Sequence, residues 1–127
     1  MDKVEPYQKA IHQEQIIEWY KQWNMKGSLD LMPETGLIVP NICAIFLYET
    51  NSKVCFIDGF ISNKEVSDEK RDKCLDLVVS SLLHLAKEKG FKYIKADSRY
   101  QSVIDRGIKF GFYLSPHKYQ AIYKELE

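Results

Sequence analysis

The fold of this chain is decided between Leu82 and Ile94, a stretch that reads LLHLAKEKGFKYI. Its first half continues an apolar pattern at helical spacing, and Gly90 is the kind of residue that commonly ends a helix. β-Forming residues follow at once, which predicts a strand over 91–96. A helix that leads directly into a strand predicts a crossover unit, in which this strand lies parallel to the extended segment before the helix.

The start of that helix is predicted at Ser67. Its hydroxyl can accept a hydrogen bond from an orphan amide, and Asp68 and Glu69 favour the positive end of the helix dipole. The helix is therefore predicted over 67–89.

Two β-forming runs precede this helix, at 41–48 and 54–57, and a short polar turn joins them. They predict an antiparallel hairpin. Asp58-Gly59 allows a kink or bulge before the chain continues extended. Residues 29–40 hold two prolines and Gly36, and are predicted to form a loop with one short extended piece.

The remaining elements complete the predicted architecture. A first helix is predicted over 8–23, a last helix over 101–110, and one or two final strands within 112–123. The fold class is therefore α/β, with a mixed α+β sheet and helices packed on it, in a single domain over residues 1–127.

Composition limits the classes of partner. The chain has 127 residues, of which 45% are hydrophobic and 28% charged, and its formal net charge is zero. A zero net charge argues against general nucleic-acid binding and against an anionic membrane surface. The polar first ten residues and the absence of a long apolar run predict a cytoplasmic protein. Cys43, Cys55 and Cys74 are expected to be buried thiols rather than metal ligands.

From Asn41 to Phe112 the order of elements and several local sequences resemble the GCN5-related N-acetyltransferase (GNAT) family. The Leu82–Ile94 stretch resembles the family's central helix running into its fifth strand. The segment Ser102–Phe112, SVIDRGIKFGF, resembles the helix that ends in the family's Gly-Phe signature. The resemblance implies the acyl-CoA N-acyltransferase fold, and the small size is similar to that of degenerate members encoded by bacteriophages.

The resemblance also locates a cofactor site. In the family, the central helix opens with Gln/Arg-x-x-Gly-x-Gly/Ala, whose backbone amides bind the pyrophosphate of acetyl-CoA. The matching stretch here is Arg71, Asp72, Lys73, Cys74, Leu75 and Asp76. Arg71 fits the pattern, whereas Cys74 and Asp76 stand where small residues belong.

Asp76 is the more damaging departure. A carboxylate about 5 Å from one phosphate charge costs about 3 kcal/mol at an effective dielectric constant near 20. Lys70, Arg71 and Lys73 could still attract phosphate by charge. The alternative interpretation is that these residues are the solvated first turn of a helix. The sequence therefore predicts that acetyl-CoA binds weakly or not at all.

The catalytic residues are also incomplete. Glu65 lies where family members often place a general base, and Asp58 is a second candidate, although acidic residues at strand ends are more commonly solvated. The Tyr that protonates the departing CoA thiolate in many members is replaced by Gly107.

Two functions remain open at this level. One is a GNAT-fold protein with a degenerate acetyl-CoA motif, at most a weak N-acyltransferase, whose acceptor would be the amine of a small molecule or a protein. The other is a non-catalytic binding module that uses the same fold to engage a protein partner.

Overall fold

The computed structural model describes residues 2–25, 29–98 and 100–126. These residues form two compact units, one ending at Asp97 and the other beginning at Ser98. The single domain expected over residues 1–127 stays a prediction.

The first unit is a five-stranded sheet with two helices. In chain order its elements are β1 (Glu5–Pro6), α1 (Lys9–Gln22), β2 (Gly36–Val39), β3 (Cys43–Tyr48), β4 (Val54–Ser62), α2 (Asp68–Glu88) and β5 (Tyr93–Ala96), with a short 3₁₀ helix at Leu29–Leu31. The strand order is β1-β2-β3-β4-β5. The first four strands pair antiparallel, and β4 pairs with β5 in parallel. The predicted mixed sheet, hairpin and parallel crossover are confirmed.

Strand β2 is where the sequence prediction fell short. The structure makes Gly36–Val39 a strand buried along its whole length and paired on both sides, by β1 and β3. The three residues 37–39 form a short apolar run between Gly36 and Pro40, and such a run has too few residues to show a period. β1, with two residues, is shorter still.

The bulge predicted at Asp58-Gly59 is present in β4. Ala44 faces Ile61 and Phe46 faces Asp58, so one residue of β3, Ile45, lies opposite two of β4, Gly59 and Phe60. Gly59 has a φ of 74°, a left-handed conformation that glycine adopts without a Cβ penalty.

Both helices of the first unit pack on the sheet through apolar faces. Ile16, Trp19 and Tyr20 of α1 join Ala44 and Phe46 of β3 in one buried cluster. α2 packs against β3 and β2, and buries Cys74, Val78, Val79, Leu82 and Ala86. β3 is therefore the centre of the core, with its first five residues fully buried.

The second unit contains α3 (Gln101–Lys109), followed by Gly111 at a φ of 93°. Within the described residues 110–126 no strand forms, so the strands predicted in 112–123 are absent there. Pro116 has no amide hydrogen to donate, and the polar residues around it interrupt the two aromatic runs. Tyr113, Tyr119 and Tyr123 are largely exposed.

Candidate functional site

The stretch predicted to bind phosphate lies inside α2. The helix begins at Asp68, and the side chain of Ser67 caps it by accepting a hydrogen bond from the Lys70 amide at 3.3 Å. The Arg71 amide already donates to the Ser67 carbonyl oxygen at 2.9 Å. Amides at 71–76 are therefore engaged in helical hydrogen bonds, since only the first turn of a helix has unpaired N–H groups.

The three cations at this helix end are each paired with a carboxylate. Lys70 Nζ lies 3.8 Å from Asp2 Oδ2, and Lys73 Nζ lies 3.4 Å from Glu69 Oε1. Arg71 pairs with Asp68. With Asp72 and Asp76 nearby, five carboxylates accompany three cations, so the local charge opposes an incoming anion.

Arg71 is further held by the end of α1. Its Nε donates to the Val66 carbonyl oxygen at 3.0 Å, and its guanidinium carbon lies 5.2 Å from the centre of the Trp23 ring. Lys64 Nζ lies 5.0 Å from the same ring, and the indole N–H donates to the Ser62 carbonyl oxygen at 2.7 Å. Trp23, Lys64 and Arg71 thereby hold the connection between β4 and α2 against the end of α1.

The other residues of the predicted stretch differ in exposure. Cys74 is buried, with its Sγ 3.9 Å from Asp2 Oδ2. Burial, together with the charge of Asp2, raises the pKa of the Cys74 thiol. Leu75 and Asp76 are half-buried, and Asp72 is exposed. The Cys74 side chain therefore belongs to the packed face of α2.

Glu65 lies in an exposed turn between β4 and α2. Its amide donates to Asn63 Oδ1 at 3.0 Å, and the Val66 amide closes the turn on the Asn63 carbonyl oxygen at 3.1 Å. Glu65 is the residue before Val66, whose carbonyl oxygen accepts a hydrogen bond from Arg71, and it is exposed to solvent.

A different polar cluster surrounds the bulge of β4. Asp58 is exposed there, and its Oδ1 accepts a hydrogen bond from the Gly59 amide at 2.7 Å. Tyr20 of α1 brings its hydroxyl to within 3.5 Å of the position that a Cβ on Gly59 would occupy. Tyr48 of β3 donates from its hydroxyl to the Leu31 carbonyl oxygen at 2.6 Å. We call Tyr7, Tyr20, Tyr48 and Asp58 the tyrosine cluster.

The hydroxyls of this cluster stay protonated at neutral pH. Burial raises the pKa of Tyr20 to about 12, and the charges of Asp58, Tyr48 and Tyr7 add to the effect. Burial and Asp58 also raise the pKa of Tyr48. These tyrosines can therefore donate hydrogen bonds but cannot accept a proton, which leaves Asp58 as the acceptor of the cluster.

Tyr7 adds an unsatisfied group. Its ring packs edge-on against Phe46, with the ring centres 4.9 Å apart. Its buried hydroxyl has no hydrogen-bond partner among the described residues, and burial raises its pKa. A buried hydroxyl without a partner is costly. It could therefore donate to a polar group that enters this cluster.

The sequence offered Asp58 as a second base candidate and, separately, Asp58-Gly59 as a kink or bulge, but it did not point to the three tyrosines. Tyr7 follows β1, Tyr20 lies on α1 and Tyr48 lies on β3, so the pairing of the strands and the packing of α1 on the sheet bring them near the bulge. No spacing along the chain carries that information.

Gly107 lies within α3, in the second unit. Its carbonyl oxygen accepts a hydrogen bond from the Phe112 amide at 3.0 Å. A Cβ at this position would lie 3.7 Å from the Phe112 Cβ, an ordinary contact. Space therefore does not exclude a side chain at residue 107.

The three cysteines are buried thiols, as expected. No group of three or more His, Cys, Asp or Glu side chains among residues 2–25, 29–98 and 100–126 could hold a metal ion. No helix in those ranges has the length and apolar character to cross a membrane.

Comparison with known proteins shows the fold. No protein-family model and no curated protein matches the sequence. Solved structures do match. The glucosamine-6-phosphate N-acetyltransferase of Arabidopsis thaliana superposes with a TM-score of 0.68 at 10% identity, over 98% of this chain and 99% of that one. An acetyltransferase of Trypanosoma brucei gives 0.68 at 10% identity, over 97% and 100%.

A third match is an aminoglycoside acetyltransferase from an uncultured soil metagenomic sample, solved in complex with sisomicin. It superposes with a TM-score of 0.65 at 12% identity, over 99% of this chain and 97% of that one. Likeness at this level of identity concerns the fold. The predicted fold class, a mixed α/β fold of the GNAT acetyltransferases, is confirmed.

Proposed function

We propose that this GNAT-fold chain has a degenerate acetyl-CoA site and is at most a weak N-acyltransferase. The observation that carries the proposal is the early start of α2 at Asp68. It places the amides of 71–76 inside the helix, where they are already hydrogen-bonded and cannot meet a pyrophosphate. The cofactor site proposed for Arg71, Asp72, Lys73, Cys74, Leu75 and Asp76 is thereby weakened in its backbone as well as in its side chains.

Charge supports the same proposal. The remaining first-turn amides lie beside the carboxylates of Asp68 and Glu69. These carboxylates already interact favourably with the positive end of the helix dipole, which is the interaction that a bound phosphate would make. Lys70, Arg71 and Lys73 would each have to leave a carboxylate before contacting an anion.

If transfer occurs, the acceptor amine would sit at the tyrosine cluster. A carboxylate with phenol groups around it attracts an ammonium group, and Asp58 could then take the proton as the amine attacks the thioester. Glu65 remains the base candidate from the family resemblance, but its place in a solvated turn gives it no comparable surroundings.

The test is thermal unfolding with acetyl-CoA. A ligand at 100 times its dissociation constant stabilises a fold by about 2.7 kcal/mol. We expect no change in melting temperature at millimolar acetyl-CoA, and a clear rise at micromolar acetyl-CoA would refute the proposal. Any thiol release in the presence of amines should fall further in Asp58→Asn than in Glu65→Gln. The opposite order would exclude Asp58 as the base.

The second candidate is a non-catalytic module that engages a protein partner. The observation that favours it is exposed apolar surface. Described residues that are at least two-thirds exposed include Tyr93, Tyr113, Tyr119, Ile122 and Tyr123. Large exposed aromatic side chains are typical of protein interfaces.

A further inference from the structure

An open groove lies where the end of α2 meets the start of β5. Its volume is about 500 Å³, and its apolar lining includes Leu83, Ala86, Phe91 and Ile94. Lys87 and Lys92 also line it, and Tyr93, 69% exposed, stands at its edge. We call this the lysine groove. It is separate from the α2 N-terminus and from the tyrosine cluster.

The charge around the lysine groove is one-sided. Lys89 pairs with Glu49 at 3.4 Å, and Glu88 pairs with His84 at 2.8 Å. Lys87 and Lys92, by contrast, form no ion pair with any described residue.

One further lysine extends this positive surface. The Lys53 carbonyl oxygen accepts the Lys92 amide at 2.9 Å, which brings exposed Lys53 close to the groove. Lys95 of β5 is also exposed, but it follows Ile94 in the strand and its Nζ lies 5.6 Å from the centre of the Phe56 ring, on the opposite face of the sheet. A chain of zero net charge therefore concentrates positive charge at one end of its sheet.

β5 offers hydrogen-bonding groups beside this charge. It is the last strand in the sheet order, and among the described residues only β4 pairs with it. An unpaired strand edge presents N–H and C=O groups that an extended peptide can meet by strand addition, while its alternate side chains enter adjacent pockets.

We infer that the lysine groove and the outer edge of β5 bind an extended acidic segment of a partner protein. The segment adds a strand beside β5. Its apolar side chains enter the groove, and its Asp and Glu residues face Lys87 and Lys92. The inference names a partner for the binding-module candidate, and it stands whether or not acetyl-CoA binds at α2.

Two other occupants fit less well. Single-stranded nucleic acid is bound by several stacking aromatic rings along a basic track, whereas the floor here is mainly aliphatic and Tyr93 is the one exposed ring of its lining. The chain's own residues 113–127 contain two lysines and two glutamates, so they lack the negative charge that the groove would select.

The test uses the full chain and a fluorescein-labelled peptide, Glu-Leu-Glu-Leu-Glu-Leu-Glu, in fluorescence anisotropy. We expect binding that weakens as salt is added. The double variant Lys87→Glu/Lys92→Glu should weaken it about tenfold or more. The matched control is Lys3→Glu/Lys9→Glu, which makes the same charge change at two exposed lysines outside the groove. It should bind like the parent.

Four results would overturn the inference. The first is an equal loss of binding in the two double variants, and the second is equal binding of a Lys-Leu peptide. The third is tighter binding of an oligo-dT strand. The fourth is a more than tenfold rise in peptide affinity when residues 113–127 are deleted. The last result would identify the chain's own end as the occupant. Thermal unfolding of each variant with acetyl-CoA tests cofactor binding separately. A failure of the peptide to bind is thereby distinguished from a failure of the acetyl-CoA proposal.

Discussion

Phe46 is the residue on which the bulge depends. Its ring is fully buried between two glycines, and a Cβ at either Gly36 or Gly59 would lie 2.8 Å from a ring atom. Real Cβ atoms do not approach this closely, so both positions must lack a side chain while the ring holds its place. The aromatic ring and the two glycines thus form one packing unit that shapes β4 beneath Asp58.

Replacing Gly59 by Ala should therefore be strongly destabilising. A left-handed φ costs an L-residue about 1–2 kcal/mol, and crowding a packed core adds about 1–3 kcal/mol. The matched control is Gly90→Ala, where φ is 92° but a Cβ would meet nothing within 4 Å. Urea unfolding should show a loss at Gly59 that exceeds the loss at Gly90 by about 1 kcal/mol or more. Equal losses would mean that Phe46 moves aside without cost.

Tyr20 makes the free energy of unfolding decline at alkaline pH. Its folded pKa, about 12, lies above the value of 10.0 for a free tyrosine. The unfolded chain therefore loses this proton first as pH rises. The contribution of Tyr20 to the free energy of unfolding is fully present below pH 10. It is lost as pH rises through the folded pKa, and the loss is roughly 2–3 kcal/mol in all.

We expect Tyr20→Phe to abolish that part of the alkaline decline. The free energy of unfolding should fall less between pH 9 and about pH 12 in this variant than in the parent. Tyr123→Phe, at a position that is 93% exposed, is the control and should follow the parent. Parallel curves for the parent and Tyr20→Phe would show that Tyr20 titrates normally.

At the scale of elements, strong local signals predicted α2 well. Ser67 is its N-cap and Gly90 follows its last residues with a φ of 92°, as the sequence indicated. β2 was underestimated because its burial comes from pairing with β1 and β3, which no local pattern records. The same limit hid the three tyrosines of the cluster, whereas the sequence itself offered Asp58 as a second base candidate and, separately, Asp58-Gly59 as a kink or bulge.

The predicted phosphate stretch shows a related limit. The helix start at Ser67 and the motif positions from Arg71 to Asp76 could both be predicted from sequence, but the argument against phosphate binding rested there on the side chains of Cys74 and Asp76. Asp68 and Glu69 favour the helix dipole, so the helix begins before the motif. The structure adds that the Arg71 amide is already hydrogen-bonded, to the Ser67 carbonyl oxygen.

Replacing both Cys74 and Asp76 by Gly should loosen the first turns of α2. Each glycine costs about 1 kcal/mol in a helix, and Cys74 also loses buried contacts, so stability should fall by at least about 2 kcal/mol. We expect affinity for CoA to rise, measured by calorimetric titration, because backbone amides in the loosened turns become available to phosphate and one negative charge is removed.

The matched control for that change is Cys74→Ala/Asp76→Asn. It removes the same thiol and the same charge but keeps good helix-forming backbone at residue 74. A folded glycine variant that binds CoA no better than this control would mean that flexibility is not what closes the site. That outcome would favour the binding-module function.

At the scale of the whole molecule, several apolar side chains within residues 113–126 are largely exposed. Deleting residues 113–127 should leave the melting temperature nearly unchanged, because side chains such as Leu114, Tyr119 and Ile122 are 66–92% exposed and bury little area. The shortened chain should also aggregate less, since exposed apolar side chains promote association. A loss of more than about 10 °C would show that this segment completes the sheet, as the sequence had predicted.

The strand order β1-β2-β3-β4-β5 follows the chain without exception. During synthesis, each strand after the first leaves the ribosome when its neighbour toward the N-terminus has already emerged. No strand has to wait for a later one before it can pair, and the one parallel pairing among the described strands, between β4 and β5, is delayed by the length of α2. Nascent chains that fold in this order expose few unpaired hydrophobic edges to other chains. Stalled chains ending after Ser62 should therefore already hold the antiparallel part of the sheet.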